Sequence, residues 1–455
     1  MKYAVVTFGC RVNQADSLGF EEELRAAGAV AAPPPDADLV IVNTCSVTAT
    51  SDQGARQTIR RIARENPNAR IVVTGCYATR RPEEVAALPN VARVVANDDK
   101  PRLLSLVERH GLPIVADSSK DERSTAERFG DGDGACGAAI EPGMAGRTAF
   151  TLRVQTGCGE PCAYCIIPAT RGTPRSAPID AVLREVMRVA DAGFREIALT
   201  GVHLGSYGRD LTPAASLVDL LRRLDAMRAA KASTSAKAPA DGSAGPGLLF
   251  RISSLEPMDC TREIVDLVAA SPSFAPHFHL PLQHASDRVL ARMRRPYTLA
   301  HYSSLVDGIR ERMPSASIGS DIIVGFPGET GEEFAQLMEY LPRSPLTHLH
   351  VFPYSDRPGT AASAMPGKVP GAVIRDRARQ VREAGQRLTT AFRDAQVGTV
   401  HRALTIDDGT LVVTGNYQKL RIGTGRARNA WVTVRVLSHH EATVVDEEIG
   451  QPAVP

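Results

Sequence analysis

The chain has 455 residues, long enough for two or three domains with full cores, and its 43% apolar and 23% charged content is ordinary for a soluble protein. A formal net charge of +2 is too small to argue for nucleic-acid binding by bulk attraction. No apolar run reaches membrane length and no basic-plus-apolar leader is present, so a cytoplasmic protein with no membrane partner is expected; eight cysteines in such a chain point to metal or redox use rather than a disulfide framework.

Residues 1–8 read as a buried strand, followed by Gly9-Cys10. A helix is expected from Asp16 to Ala27, capped by Asp16 or Ser17. Leu39–Val42 is the next strand and leads into Asn43-Thr44-Cys45. A helix over Thr50–Glu65 follows, with Arg56, Arg60, Arg61 and Arg64 on one face. Ile71–Val73 then gives a third strand, ended by Thr74-Gly75-Cys76. Alternating strands and helices imply a parallel sheet, whose strand C-termini share one edge. Cys10, Cys45 and Cys76 each lie just past such an end, so cysteines far apart in sequence are expected to converge there, with Gly9 and Gly75 allowing tight turns beside two of them. The alternative is three buried core thiols.

Residues 111–147 read as a linker, rich in Asp, Glu, Ser, Gly and Ala; Cys136 within it reads as a tolerated surface thiol. Beyond it, Cys158-Gly-Glu-Pro-Cys162-Ala-Tyr-Cys165 sets three thiols on one short loop that leaves a strand end. Soft sulfur suits iron, and three thiolates can hold three corners of a cubane cluster and leave the fourth iron for a small molecule. A zinc knuckle would need a fourth ligand close by, and no His or Cys follows until His203. Strand-like runs recur at Phe150–Thr156, Glu196–Thr200, Leu248–Ser253, His277–Leu280, Ile318–Val324 and His348–Phe352, with helices such as Asp180–Ala192 and Thr330–Tyr340 between them. Six such units over 148–375 predict an incomplete (βα)6 barrel, with a low-complexity insertion at 226–247.

His277, His279 and His284 cluster, but no carboxylate or Cys stands near them at metal spacing, so hydrogen-bonded histidines are expected. Cys260 is single and reads as a core or loop thiol. A basic helix over 372–393 falls largely in the connecting segment 376–397. The tail from 398 has five short β-runs, Val400–Ile406, Leu411–Thr414, Lys419–Ile422, Trp431–Leu437 and Ala442–Val445, which predict a small barrel. Its charges balance, so any contact with a polyanion would fall to the patch from Lys419 to Arg428.

The spacing Cys-x3-Cys-x2-Cys, with an aromatic before the last Cys, resembles the signature of radical S-adenosylmethionine (SAM) enzymes, in which the open iron chelates SAM and an electron cleaves it to a 5′-deoxyadenosyl radical. Thr7–Ser17, Asn43–Thr48 and Thr74–Ala78 resemble the N-terminal domain of the methylthiotransferases of that superfamily, which insert a methylthio group into tRNA or a ribosomal protein. The resemblance implies an α/β chain with an N-terminal domain over 1–110, a radical-SAM barrel over 148–375 and a C-terminal RNA-binding TRAM-like barrel over 398–455. It implies two [4Fe–4S] clusters and two uses of SAM, one cluster on Cys158, Cys162 and Cys165 and an auxiliary one on Cys10, Cys45 and Cys76. SAM contacts are implied at Thr200, Gly201, Arg251, Ser253, Gln283, Asp321 and Gly325, through stretches such as Arg251–Pro257, His279–Gln283 and Asp321–Thr330; Gly328-Glu329-Thr330 also reads as a turn and helix cap. No catalytic acid or base is assigned.

Cys10-Arg-Val-Asn13 resembles the branch acting on threonylcarbamoyladenosine, so the expected partner is the tRNA anticodon loop, with an electron donor such as flavodoxin or ferredoxin and a monomeric enzyme. That substrate carries a carboxylate, for which Arg171, Arg175 and Arg295 are candidate partners. The alternatives are isopentenyladenosine in tRNA, a ribosomal protein, or a non-catalytic iron–sulfur RNA-binding or electron-transfer protein; the last gives no purpose to Arg251–Pro257 and Asp321–Thr330.

Overall fold

The computed structural model describes residues 1–108, 140–142, 148–234, 247–423 and 425–445. Cys136, most of the expected linker and the 235–246 part of the low-complexity stretch lie outside them. Ile140, from the linker stretch, packs into the barrel core.

The first unit runs β1 (Lys2–Thr7), α1 (Arg11–Ala26), β2 (Val30–Ala31), β3 (Leu39–Thr44), α2 (Ala49–Glu65), β4 (Arg70–Gly75), α3 (Cys76–Arg80), α4 (Pro82–Ala86), β5 (Val91–Val95) and α5 (Leu103–Glu108). Its five strands form one parallel sheet in the order β2-β1-β3-β4-β5. β3 sits at the centre with all six residues buried, as a strand covered by helices on both faces should be. α1 starts at Arg11, five residues before the expected Asp16, and Cys10 takes the N-cap position. Asp16 and Ser17 are buried inside the helix instead of capping it, because other elements use their side chains. α2 has Thr48 as its cap, accepting from the Ser51 amide at 3.2 Å.

The second unit contains β6 (Phe150–Arg153), β7 (Gln155–Thr156), α6 (Ile167–Arg171), β8 (Arg175–Ser176), α7 (Ile179–Asp191), β9 (Glu196–Thr200), α8 (Leu217–Thr234), β10 (Leu249–Ile252), α9 (Arg262–Ala270), β11 (His277–His279), α10 (Asp287–Arg292), α11 (Leu299–Arg312), β12 (Ser317–Val324), α12 (Gly331–Tyr340) and β13 (His348–Pro353). The low-complexity stretch at 226–234 is thus the end of α8. β6, β9 and β10 are parallel, as are β11, β12 and β13. Bonds from Phe250 N to Ser273 O (2.7 Å) and Leu255 N to His279 O (3.0 Å) join the two sheets, giving an open barrel with β6 and β13 at its edges. Thr330 caps α12 in a reciprocal capping box with Glu333.

The first unit spans the open side of this barrel. Asp16 of α1 pairs with Arg153 of β6, and at the other edge Asp52 of α2 pairs with Arg357 at 2.7 Å while the Ala49 amide donates to Ser355. α13 (Gly371–Asp394) then leads to β14 (Val400–Ile406), β15 (Leu411–Thr414), β16 (Lys419–Ile422), β17 (Trp431–Val436) and β18 (Glu441–Val444), which close into a barrel in the order β14-β15-β16-β18-β17. Along α13, Arg377 is buried and paired with Glu329 at 2.6 Å, while Arg375, Arg382 and Arg387 are exposed. The C-terminal barrel docks against residues that precede barrel strands. Asn429 donates to Gly193 O, Asn416 to Ser315 O and Arg428 to Thr148, so Arg428 of the expected RNA patch is partly a docking residue. Among the described residues no helix is long and apolar enough to cross a membrane.

Candidate active site

β1, β3 and β4 are adjacent, and Cys10, Cys45 and Cys76 follow their C-terminal ends. Cys45 and Cys76 are buried and Cys10 is exposed. The turns that carry them interlock. A Cβ on Gly9 would lie 2.5 Å from Cys45 Cβ and 2.6 Å from its Sγ, and one on Gly75 would lie 2.2 Å from Thr44 O. Both glycines adopt positive φ, so only glycine suits either position. Burial and the neighbouring Cys10 and Cys76 thiols push Cys45 up to about 11. Burial acts the same way on Cys76, but the charges of Arg171 and Lys100 outweigh it and lower its pKa. Three soft donors brought to one sheet edge, one of them prepared for ionisation, suit a thiophilic metal cluster.

The Cys158–Cys165 loop leaves β7. A Cβ on Gly157, at φ 76°, would lie 1.9 Å from Thr173 O, which fixes glycine there. The Ala163 amide donates to Met293 O (3.0 Å) and the Ala362 amide to Ala163 O (2.7 Å), tying the loop to the segments that follow α10 and β13. Each sulfur receives a hydrogen bond: Cys158 from the Glu160 amide (3.5 Å), Cys165 from the Ile167 amide (3.4 Å) and Cys162 from Arg295 Nη1 (3.1 Å). Such donors favour thiolate and orient it, against a burial that outweighs them and raises the Cys158 and Cys165 pKa values.

α6 links the two cysteine sets. Its first amide, Ile167, donates to Cys165, and its far end packs on α3, where Thr170 and Arg171 stand beside Cys76 and lower its pKa. Five helical residues rise about 7 Å, so a single short helix separates the two sets. Asn97 bridges the same junction, donating to Thr170 O at 2.7 Å and to Cys76 Sγ at 3.7 Å. Asp16 anchors it: its carboxylate accepts from Lys100 (2.6 Å), Arg171 (3.3 Å) and Arg153. Burial would raise its pKa, but those three cations outweigh burial and hold it far below the usual carboxylate range.

The expected SAM contacts divide. Thr200 and Gly201 end β9, Ser253 follows β10, Gln283 follows β11, and Asp321 and Gly325 lie in and after β12. Their shared rim is that of the Cys158 loop, since β6 and these strands are parallel. Ser253 Oγ is buried without a hydrogen-bond partner, which suits a polar ligand at that rim. Gln283 is buried at φ 69° and tied to β12 through Asp321 O and the Ile323 amide. Arg251 is placed elsewhere: fully buried, it pairs with Glu196 at 2.9 Å and donates to Gly415 O of the C-terminal barrel at 2.9 Å.

Of the arginines considered for a substrate carboxylate, Arg171 is 3% exposed and committed to Asp16, Asn13 and Cys76. Arg295 pairs with Glu256 and donates to Tyr297 and Cys162, and Arg175 pairs with Asp98 at 2.9 Å. Among the histidines, the structure supplies the carboxylate that the sequence did not. Asp321 accepts from His279 at 2.8 Å and from His350 at 3.2 Å, in a group whose ligand atoms lie within 4.8 Å of one another. These bonds outweigh burial and hold Asp321 well below the carboxylate range, so His279 is hydrogen-bonded, as expected. Gly319 makes room for this wall, since a Cβ there would lie 2.1 Å from His348 Nε2. His284 accepts from the Ser286 amide. Cys260 is buried in the barrel core.

Sequence reading missed Asp16, Asn97, Lys100, Arg153, Thr170 and Glu256. Asn97 and Lys100 follow β5, the next strand along the edge that carries the three cysteines, so the same edge rule points to them. Asp16, Arg153 and Thr170 meet their partners through contacts between units, and Glu256 meets Arg295 across the barrel, 39 residues away.

A family profile described as "Uncharacterized protein family UPF0004" matches residues 2–97, and that of the Radical SAM superfamily matches 152–341. "Threonylcarbamoyladenosine tRNA methylthiotransferase MtaB" of Aquifex aeolicus is 35% identical over 92% of this chain and 95% of its own length. Its namesake from Thermotoga maritima is 32% identical over 97% and 95%. "Ribosomal protein uS12 methylthiotransferase RimO" of Roseiflexus sp. is 32% identical over 100% and 98%. Among solved structures, the radical SAM methyltransferase TsrM from Kitasatospora setae, with cobalamin and a [4Fe–4S] cluster bound, superposes with a TM-score of 0.53 over 80% of this chain and 74% of that one; at 16% identity this is a likeness of fold. With relatives of 31–35% identity bearing the MtaB name over nearly the whole of both sequences, the chain belongs to the MtaB-like methylthiotransferase family of the radical SAM superfamily.

Proposed function

We propose that this chain is a tRNA methylthiotransferase that adds a methylthio group to carbon 2 of N6-threonylcarbamoyladenosine at position 37. The observation that carries the reading is α6, which touches Cys165 at one end and Cys76 at the other and so couples a SAM-binding motif to a second cysteine set. Two [4Fe–4S] clusters with SAM supply one-electron chemistry and a sulfur carrier that no side chain offers.

The Cys158, Cys162 and Cys165 thiolates hold the first cluster, and Cys10, Cys45 and Cys76 the second. The Glu160 and Ile167 amides and Arg295 orient the first set, while Arg171, Thr170 and Asn97 orient Cys76. Asp16 keeps the units from shifting against each other, which matters because small misplacements of reacting groups are costly in rate. Thr200, Gly201, Ser253, Gln283, Asp321 and Gly325 form the SAM-facing rim; the Asp321 carboxylate, oriented by His279 and His350, accepts hydrogen bonds. The division 1–110, 111–147, 148–375, 376–397 and 398–455 follows the same roles, with the last segment gripping the RNA. The enzyme works in the cytoplasm as a monomer and draws electrons from a donor such as flavodoxin or ferredoxin.

The test incubates the anaerobically reconstituted protein with SAM, reductant and two tRNAs, one bearing threonylcarbamoyladenosine and one isopentenyladenosine, and analyses nucleosides by mass spectrometry. The methylthio product should appear on the first. Preference for the second, or activity on a ribosomal protein alone, overturns the substrate assignment.

A further inference from the structure

Arg11 follows Cys10 directly and opens α1. Its guanidinium reaches across to the C-terminal barrel, where Nη2 donates to the Tyr417 hydroxyl at 3.2 Å and the charge lies 5.9 Å from the ring centroid. Tyr417 sits at φ 67° in the turn after β15, 49% exposed. It packs its ring 4.6 Å from the Arg251 guanidinium and 5.0 Å from the His277 ring. All three units therefore meet at Tyr417, one arginine side chain from Cys10. The Arg251 charge is matched by Glu196, and those of Arg171, Arg175 and Arg295 by Asp16, Asp98 and Glu256. Arg11 differs: among the described residues its polar partner is a neutral phenol, and no carboxylate pairs with it. It is also partly open to solvent, as Tyr417 and Cys10 are. Burial and neighbouring charges, that of Arg11 included, keep His277 well below the usual imidazole range, so no imidazolium competes at this point.

We propose that Arg11 binds the carboxylate of the threonylcarbamoyl group, held in position by Tyr417, and thereby sets the preference for an acidic over a neutral modified adenosine. This rests on the substrate reading above. A carboxylate entering a partly desolvated site needs a cation, and a guanidinium engages both of its oxygens at once. Tyr417 contributes a hydroxyl that accepts one guanidinium N–H and leaves the others for the ligand.

The test measures binding of two anticodon stem-loops to the reconstituted protein, one bearing threonylcarbamoyladenosine and the other its methyl ester, which removes the charge and little else. Wild type should bind the acid about ten- to a hundredfold more tightly than the ester, the range of a charge-assisted hydrogen bond. Arg11→Gln should bring that ratio close to one, and Arg11→Lys, which keeps the charge without the fork, should fall between. Iron content reports that each variant holds its clusters. A wild-type ratio near one overturns the proposal without recourse to any variant, and so does an Arg11→Gln protein that keeps the wild-type ratio. Nucleoside analysis of wild type separates the two levels: turnover of threonylcarbamoyladenosine alongside either result leaves the substrate reading standing and rejects Arg11 alone, while absence of that turnover rejects both.

Discussion

Replacing Asp16 with Asn should loosen the junction between the N-terminal sheet and the radical-SAM barrel. The Asp16 side chain is 1% exposed and serves Lys100 (5% exposed) and Arg171 (3%), with Arg153 as a third cation. Removing one partner of a buried ionic group costs about 3–5 kcal/mol, mostly from charges left without a counter-ion. Lys100 keeps Asn43, at 3.0 Å, and Arg171 keeps Asn13, which places the loss at the lower end, about 3 kcal/mol. Hydrogen exchange read by mass spectrometry on the metal-free protein reports that loss locally. Peptides covering 11–26 and 150–171 should exchange roughly a hundredfold faster, at about 1.4 kcal/mol per factor of ten. The effect should hold between pH 5 and 7 and shrink toward pH 8, because burial lowers the pKa of Lys100 to about 8. Asp16 contributes stability that is present above its unfolded pKa and fades only in acid, because its folded pKa is depressed. Adding Arg171→Met and Lys100→Met, which remove the stranded charges, should recover part of the protection. Acceleration below tenfold in Asp16→Asn would refute the view that this carboxylate ties the units together.

Glu22, on α1, faces Arg188 of α7 at 3.4 Å, and burial pushes its pKa up to about 7. The folded state thus holds this proton more tightly than the unfolded chain, so stability should fall as pH rises from about 4.5 to 7. Glu22→Gln should raise the thermal midpoint at pH 8 and change it little at pH 4, with a gain of at most about 3 kcal/mol; an unchanged midpoint at pH 8 contradicts this. Cys136→Ser with Cys260→Ser should leave iron content and turnover near wild type, since Cys260 is buried in the apolar core, away from both cysteine sets. Loss of more than about a quarter of the iron would implicate one of them in a cluster.

Most strands were legible because their signals are local: the five C-terminal runs and the six barrel runs fall on observed strands, shifted by one or two residues at some ends, whereas β2, β5 and β8 were not read from the sequence. The three N-terminal cysteines were legible for a topological reason, since parallel strands must bring their C-termini to one edge. Side chains that reach between units were not. Asp16 looked like a helix cap, and Ser17 beside it, because Asp and Ser in front of an apolar-periodic stretch usually are; nothing nearby reveals partners at 100, 153 and 171. Arg251 sits in a stretch resembling a SAM-binding motif, yet its guanidinium is taken by Glu196 and by carbonyls more than 160 residues downstream. Tyr417 carries no pattern at all, and becomes noticeable only once the turn that holds it docks beside His277 and Arg11.

The account depends most on two separate cluster sites, and iron quantification with SAM-cleavage assays on two triple variants tests this directly. Replacing Cys158, Cys162 and Cys165 with Ala should leave about half of the iron and abolish SAM cleavage. Replacing Cys10, Cys45 and Cys76 should also leave about half, but preserve SAM cleavage and stop methylthio transfer. Full iron retention in either variant, or loss of SAM cleavage in the second alone, would contradict the assignment.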